Sequence, residues 1–462
     1  MKNTEIKCNS NIDQMRIIKL FTIFIISLLV IGGCSQQKPV LLSDTEILHQ
    51  NQDKLTQIII YDVFSPPVAS RLYIYTSLAS YEAIRFKKEG APSITAKLNG
   101  FRAMPVPEEG KNYNFTLAAT KAFFNVVRNV KVFSVDSLIS YEDRIYNGFK
   151  ETLDEDTFKR STAFGDSIAK VILERANNDG YAASRGKTKY LGSNEKGKWR
   201  PTPPDYLDGI EWCWNTMKPF AMDSASMFKP APPPLFDMDT NSLYYKNLKE
   251  VYDINKNITR EQKNIAYYWD DNPFVIEHSG HMMFGNKKIT PGGHWMGICA
   301  IASKASGADD VMTAKAYAYT SLALFEGFLS CWDEKYTSSY IRPVTAINES
   351  FDHNWLPYLQ TPPFPEYTSG HSTISACAAT VLTSLFGDNF EFLDTSDLKY
   401  IGMERRFNSF NEAALEASNS RIYGGIHYRF TADISNALGS KLGSFIISKL
   451  EEQHTSLTAI TK

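Results

Sequence analysis

Cysteine is scarce in this chain, and neither sign of charge is in excess. Of six cysteines in 462 residues, Cys8 and Cys34 fall in an N-terminal segment treated below, and Cys213, Cys299, Cys331 and Cys377 lie far apart with no C-x-x-C among them. That spacing offers no zinc site and leaves the pairing state of the four unread. Lys and Arg number 49 against 51 Asp and Glu, a formal net charge of -2, and no basic run stands out. A nucleic-acid partner therefore has no electrostatic footprint here, and any anion site must be local. Beyond residue 31 no stretch holds the roughly 18 consecutive apolar residues of a membrane span. Internal repeats and Val- or Ile-rich alternating strands are also missing, so the periodicity that remains is helical.

What is present starts with 43% hydrophobic residues and 13% aromatics, enough for a sizeable core. Residues 1–33 read as an export signal. Arg16 and Lys19 precede a twelve-residue apolar stretch, Leu20 to Ile31, too short to span a bilayer comfortably and of signal-peptide length. Met15 begins a more typical signal of this kind. The stretch closes on Ile31-Gly32-Gly33-Cys34, which resembles the bacterial lipobox. That resemblance implies a lipid on Cys34 and an exported protein tied to the cell envelope through its lipid alone.

Residues 34–57 are polar and read as a tether, 58–235 as an N-terminal helical region with a proline-rich connection, and 236–455 as a C-terminal helical domain. Pro66-Pro67 open a helix near Val68, and helical spacing recurs over Asn114–Val130, Val135–Leu153 and Asp156–Asn177. Prolines at 201, 203, 204, 219, 230, 232, 233 and 234 then forbid regular structure over most of the connection. Further helices are expected over Thr259–Trp269, His294–Ala305, Asp309–Trp332, Ser372–Phe386, Met403–Ser418 and Thr431–Leu450, the last with Thr431 as its N-cap. The fold class expected is all-α.

Three short stretches of the second half carry chemistry: Lys335-Tyr-Thr-Ser-Ser-Tyr-Ile-Arg342-Pro343, Thr368-Ser369-Gly370-His371, and Ser420-Arg421-Ile-Tyr-Gly-Gly-Ile-His427. Arg342 and Arg421 offer planar forks of donors matched to oxyanion oxygens, and Lys335 offers a point charge. Ser369 and Gly370 stand where a helix begins, so orphan amides and the helix dipole favour an anion there. His371 and His427 are the groups able to act as nucleophile, ligand or proton carrier near neutral pH. Singly, each stretch is commonplace: surface charges, a helix cap, a turn. In this order on an α-rich chain they define one oxyanion site.

Together they resemble the three-part signature of the phosphatidic acid phosphatase type 2 and vanadium haloperoxidase superfamily, K-x6-RP, PSGH and SR-x5-H. Thr368 replaces the usual Pro. Thr431 stands where an Asp commonly follows the last His, and Asp433, two residues on, becomes the candidate to orient His427. The resemblance implies paired four-helix bundles with the anion in the C-terminal one. In the phosphatases of the superfamily His427 would attack phosphorus and His371 protonate the leaving group. In the haloperoxidases Lys335, Arg342, Ser369, Gly370 and Arg421 would hold vanadate and His427 would bond vanadium. His371 would then serve as acid–base and Lys335 polarise bound peroxide, so that hydrogen peroxide and halide, iodide or bromide, give hypohalous acid for small organic acceptors.

The upstream segments "SPPVASRLYIYTSLASYEAI", "WRPTPP", "YYWDDNPF" and "TPGGHWMGIC" look like those of bacterial haloperoxidases, which favours vanadate over phosphate ester. Phe364 and Phe274 are candidates for the halide-side wall. His294 reads as a packing or pocket-shaping histidine near a helix start, His278 and His281 would share a metal only on a helix, and Glu326 in an apolar helix demands a partner, such as a nearby cation.

Overall fold

From Asp44 onward, the segment expected to be a tether is helical. In the computed structural model, which describes residues 42–130, 132–273, 275–279, 282–285 and 287–451, helix α1 spans Asp44–Tyr61 and the Ser43 hydroxyl caps it by accepting from the Glu46 amide. Ile47, Leu48, Leu55, Ile58 and Ile59 recur at helical spacing and are buried. That stripe is sparse among polar residues, which is why the segment reads as a tether; packing supplies the stability that composition hides. Cys34, Phe274 and His281 lie outside the described residues.

Helix α2 (Pro66–Ile84) begins with proline, where an amide would have no partner, and is buried along its whole length. Helices α3 (Phe115–Asn129), α4 (Val135–Lys150) and α5 (Glu155–Asn177) follow. α2, α3 and α5 pack on one another, with α1 against α3, as a first bundle. After a single turn, α6 (Tyr181–Ser184), the proline-rich connection runs largely without regular structure.

Helices α7 (Leu243–Lys256) and α8 (Arg260–Tyr268) lead to a hairpin of β1 (Ile276–Ser279) and β2 (Met282–Gly285). The strand removes the helical spacing on which a shared His278–His281 metal depended. Then come α9 (Pro291–Ala305), α10 (Asp310–Ser338), α11 (Pro343–Ser350), α12 (Gly370–Phe386), β3 (Phe392–Asp394), α13 (Leu398–Ile401), β4 (Arg405–Phe407), α14 (Phe410–Tyr423) and α15 (Arg429–Glu451). β4 pairs antiparallel with β3 and takes residues that the sequence assigned to a helix from Met403. Ser409 then caps α14 through the Glu412 amide.

In the second bundle α12 packs against α10, α14 and α15, with α9 on α10. α10 also packs along α2, and the residues from Ser43 onward cluster as one compact unit that includes the proline-rich connection. That connection is pinned from inside. Glu326 of α10, fully buried, accepts the Phe220 and Ala221 amides at 2.5 and 2.8 Å, so its partner is backbone and not the cation the sequence suggested.

Candidate active site

The signature residues converge at one end of the second bundle. α10 continues past Trp332, which puts Lys335 in its last turn. The ammonium is buried and donates to the carbonyls of Pro365 (2.9 Å), Glu366 (3.1 Å) and Thr368. Burial pushes its pKa down to about 7. Arg342 occupies the N-cap of α11, ahead of Pro343; Nε donates to the Phe364 carbonyl at 2.9 Å and Nη1 to the Ile426 carbonyl at 2.8 Å. Arg421, in the last turn of α14, donates to the Ser420 hydroxyl at 3.0 Å and to the carbonyls of Asp270 and Trp269. Burial lowers both guanidinium pKa values to about 10, leaving three cations at one locus at mildly acidic pH.

Ser369 caps α12, accepting from the Ser372 amide at 3.3 Å and the Ser372 hydroxyl at 2.9 Å, and its own O–H stays available. Gly370 opens the helix, and His371 follows on its first turn. His427 is delivered by a turn. α14 ends at Tyr423, and Gly425 adopts φ +78°, where a Cβ would stand 2.7 Å from Asn255 Oδ1.

The group that orients His427 is Glu366. His427 Nδ1 lies 2.7 Å from Glu366 Oε1, which also accepts the Tyr428 amide at 3.1 Å, and Glu366 Oε2 accepts the Thr431 hydroxyl at 2.9 Å. Asp433, the sequence candidate, is exposed on α15. α15 begins at Arg429, so Thr431 lies within the helix and serves the carboxylate instead of capping. Burial raises the Glu366 carboxyl to about 7 against the pull of Arg342 and Lys335. With donors converging on Glu366, the tautomer assigned to His427 carries its proton on Nδ1 and keeps a lone pair on Nε2, 3.3 Å from Arg342 Nη1. Burial and the neighbouring cations hold both His427 and His371 well below the ordinary imidazole pKa.

A cavity of about 30 Å³ touches Gly370, His371, Arg421 and His427 on one side and Phe328, Trp332 and Phe364 on the other. Phe364 packs on Trp332 at 5.0 Å and lies under Lys335 and Arg342 at 4.9 and 5.1 Å. Trp332 and Phe328 are wall residues that sequence reasoning missed, since nothing in an apolar helix marks which ring meets a cavity. Arg342 Nη2 and His371 Nε2 are buried with no hydrogen-bond partner among the described residues. An unsatisfied guanidinium donor beside Lys335 and Arg421, with an unpartnered imidazole nitrogen next to it, is what a bound tetrahedral oxyanion would satisfy, and the residues fit vanadate.

His294 does more than pack. It sits in the first turn of α9, whose N-cap is Thr290, fully buried between Asp271 and Asp394. Asp271, His294 and Asp397 bring ligand atoms within 4.8 Å of one another.

Residues 315–456 match the family described as the VCPO second helical-bundle domain. The chain is similar to the crystal structure of the first bacterial vanadium-dependent iodoperoxidase, at 43% identity and a TM-score of 0.83, over 90% of this chain and 98% of that one. Holo and apo structures of a bacterial vanadium-dependent chloroperoxidase, each 18% identical, share the fold: TM-scores are 0.64 and 0.65, with 90% and 84% of this chain and 94% of theirs covered. No curated protein matches. The chain belongs to the vanadium haloperoxidase family. No helix among the described residues is long and apolar enough to cross a membrane.

Proposed function

We propose that this protein uses vanadate to oxidise halide with hydrogen peroxide, iodide first and bromide second, giving hypohalous acid. The observation that carries the reading is the pairing of His427 Nδ1 with Glu366 at 2.7 Å, which leaves Nε2 as a ligand atom in a pocket of buried cations. Bound vanadate supplies a Lewis-acidic centre that activates peroxide without changing oxidation state. Lys335, Arg342 and Arg421 neutralise the oxyanion, helped by the Ser369 hydroxyl and the Gly370 end of α12. His371 holds or releases a proton at Nε2. Phe364, Trp332 and Phe328 give the cavity an apolar, polarisable wall that excludes water and suits a large soft halide. The similarity to an iodoperoxidase supports iodide as the first choice.

The test strips the purified protein with chelator and phosphate, then titrates vanadate while following iodide and bromide oxidation by peroxide. Activity should rise with vanadate, iodide ahead of bromide. Inhibition by vanadate of p-nitrophenyl phosphate hydrolysis, with no halide oxidised, would make the protein a phosphatase. We further propose an exported lipoprotein anchored through Cys34, whose hypohalous acid reacts with small organic acceptors. Cys34→Ser should move the protein from the membrane to the soluble fraction.

A further inference from the structure

His294 is surrounded by more carboxylate than an imidazole ring needs. Nδ1 stands 3.2 and 3.1 Å from the two oxygens of Asp271, and Nε2 stands 2.9 Å from Asp394 Oδ2. Those two acceptors account for a ring protonated on both nitrogens. A third carboxylate is left over. Asp397 is 2% exposed; its Oδ2 lies 3.8 Å from His294 Nδ1, beyond hydrogen-bond reach, and its Oδ1 is buried with no hydrogen-bond partner among the described residues. The nearby cations are engaged elsewhere, Lys288 with Asp270 at 2.5 Å and Arg421 with the main-chain carbonyls of Trp269 and Asp270. An uncompensated buried carboxylate is costly. A proton on the acid leaves Oδ1 as unpaired as before, whereas a metal ion shared with Asp271 and His294 neutralises the whole group.

The spacing fits a metal. One ligand atom each from Asp271, His294 and Asp397 lies within 4.8 Å of the others. A four-coordinate cation with arms of about 2.0–2.2 Å needs ligand atoms roughly 3.3–3.6 Å apart, and the 3.1, 3.2 and 3.8 Å separations around Nδ1 bracket that range. Asp271 presents both oxygens, so three residues offer four ligand atoms. Asp394 takes the supporting position. Its Oδ2 accepts from Nε2 and its Oδ1 from the Ser396 amide at 3.0 Å, which fixes the ring with Nδ1 turned to the metal. Trp269 stacks on the ring at 4.4 Å. Imidazole with carboxylates suits zinc and its first-row neighbours better than magnesium or calcium.

We propose that Asp271, His294 and Asp397, oriented by Asp394, hold one divalent cation of the zinc class as a structural staple. The three ligands come from the loop after α8, the first turn of α9 and the residue that precedes α13. The cation takes the place of the proton on His294 Nδ1. It ties down the stretch whose Trp269 and Asp270 carbonyls hold Arg421 and whose Asp270 and Asp271 line the oxyanion cavity. The site is separate from the oxyanion pocket around His427 and holds whether or not halide is oxidised.

The test uses the full chain carrying His427→Ala, which removes that histidine as a competing ligand. Refolded with zinc and then freed of loose metal, it should retain about one zinc per chain and unfold at a higher urea midpoint than the metal-free protein. Adding His294→Gln or Asp397→Asn should cut the retained zinc at least about tenfold and abolish the gain in midpoint. In the wild type, nitrogen NMR of labelled histidine should show His294 Nδ1 losing its proton as zinc is added, while Nε2 keeps its own. That measurement needs no variant to fold. No retained zinc, zinc retained in both variants, zinc bound with no rise in the midpoint, or Nδ1 still protonated at saturating zinc overturns the staple.

Discussion

His427 and His294 are both buried, both hydrogen-bonded to carboxylates, and set in opposite surroundings. Around His427 stand Lys335, Arg342 and Arg421 with one carboxylate, Glu366, already committed to three donors. Around His294 stand Asp271, Asp394 and Asp397, with the ring itself as the nearest cation. Burial, reinforced by the surrounding positive charge, drives the first imidazole neutral and leaves it a lone pair; excess negative charge overcomes burial and drives the second to imidazolium. The same side chain thus keeps a lone pair in one place and two ring protons in the other, decided by its surroundings.

The comparison breaks most completely if His427 is dispensable. His427→Ala should reduce halide oxidation to background, on the order of 10³-fold, with vanadate affinity falling in parallel. Next in size is the orienting carboxylate: Glu366→Gln should cost about 10- to 100-fold in vanadate affinity while the protein stays folded by circular dichroism. A pH series sharpens the cationic side. Lys335 carries its charge only below about 7, so phosphate or vanadate binding should strengthen as pH falls through that value, by up to about tenfold per pH unit, and flatten in Lys335→Gln. Stability of the anion-free protein should move the other way. An unfolded lysine still binds its proton between about pH 7 and 10, so this group's contribution to urea resistance rises over that window. The smallest effect is expected at Asp433→Asn, within about 0.5 kcal/mol of wild type and with vanadate affinity unchanged; a large loss there would return the orienting role to Asp433.

The all-α class, most helix positions and the oxyanion residues were legible because each rests on local pattern: helical spacing, prolines at helix starts, and a motif of cations and histidines. Glu366 was in plain view, five residues before His371, yet its partner lies 61 residues away in sequence, and nothing local distinguishes a buried Glu from a solvated one. Thr431 looked like a missing Asp because the signature was read one position at a time. The structure supplies the carboxylate from a different segment and lets the threonine hydroxyl donate to it. The His294 cluster was opaque for the same reason, since Asp271 lies more than a hundred residues before Asp394 and Asp397, which come from the end of β3 and the turn after it. α1 was lost to composition, its core residues thinned by polar neighbours that packing tolerates.

Phe364 holds Arg342 through its main-chain carbonyl at 2.9 Å, while its ring forms the cavity wall. For an engineer these two duties are separable. The ring can be exchanged for smaller, larger or polar side chains while the arginine keeps its backbone anchor, so a library at this one codon can explore halide preference on an otherwise intact scaffold. Only the main-chain anchor is spared, because the same ring lies under Lys335 and Arg342 at 4.9 and 5.1 Å, so an exchanged lining also resets what the two cations rest on.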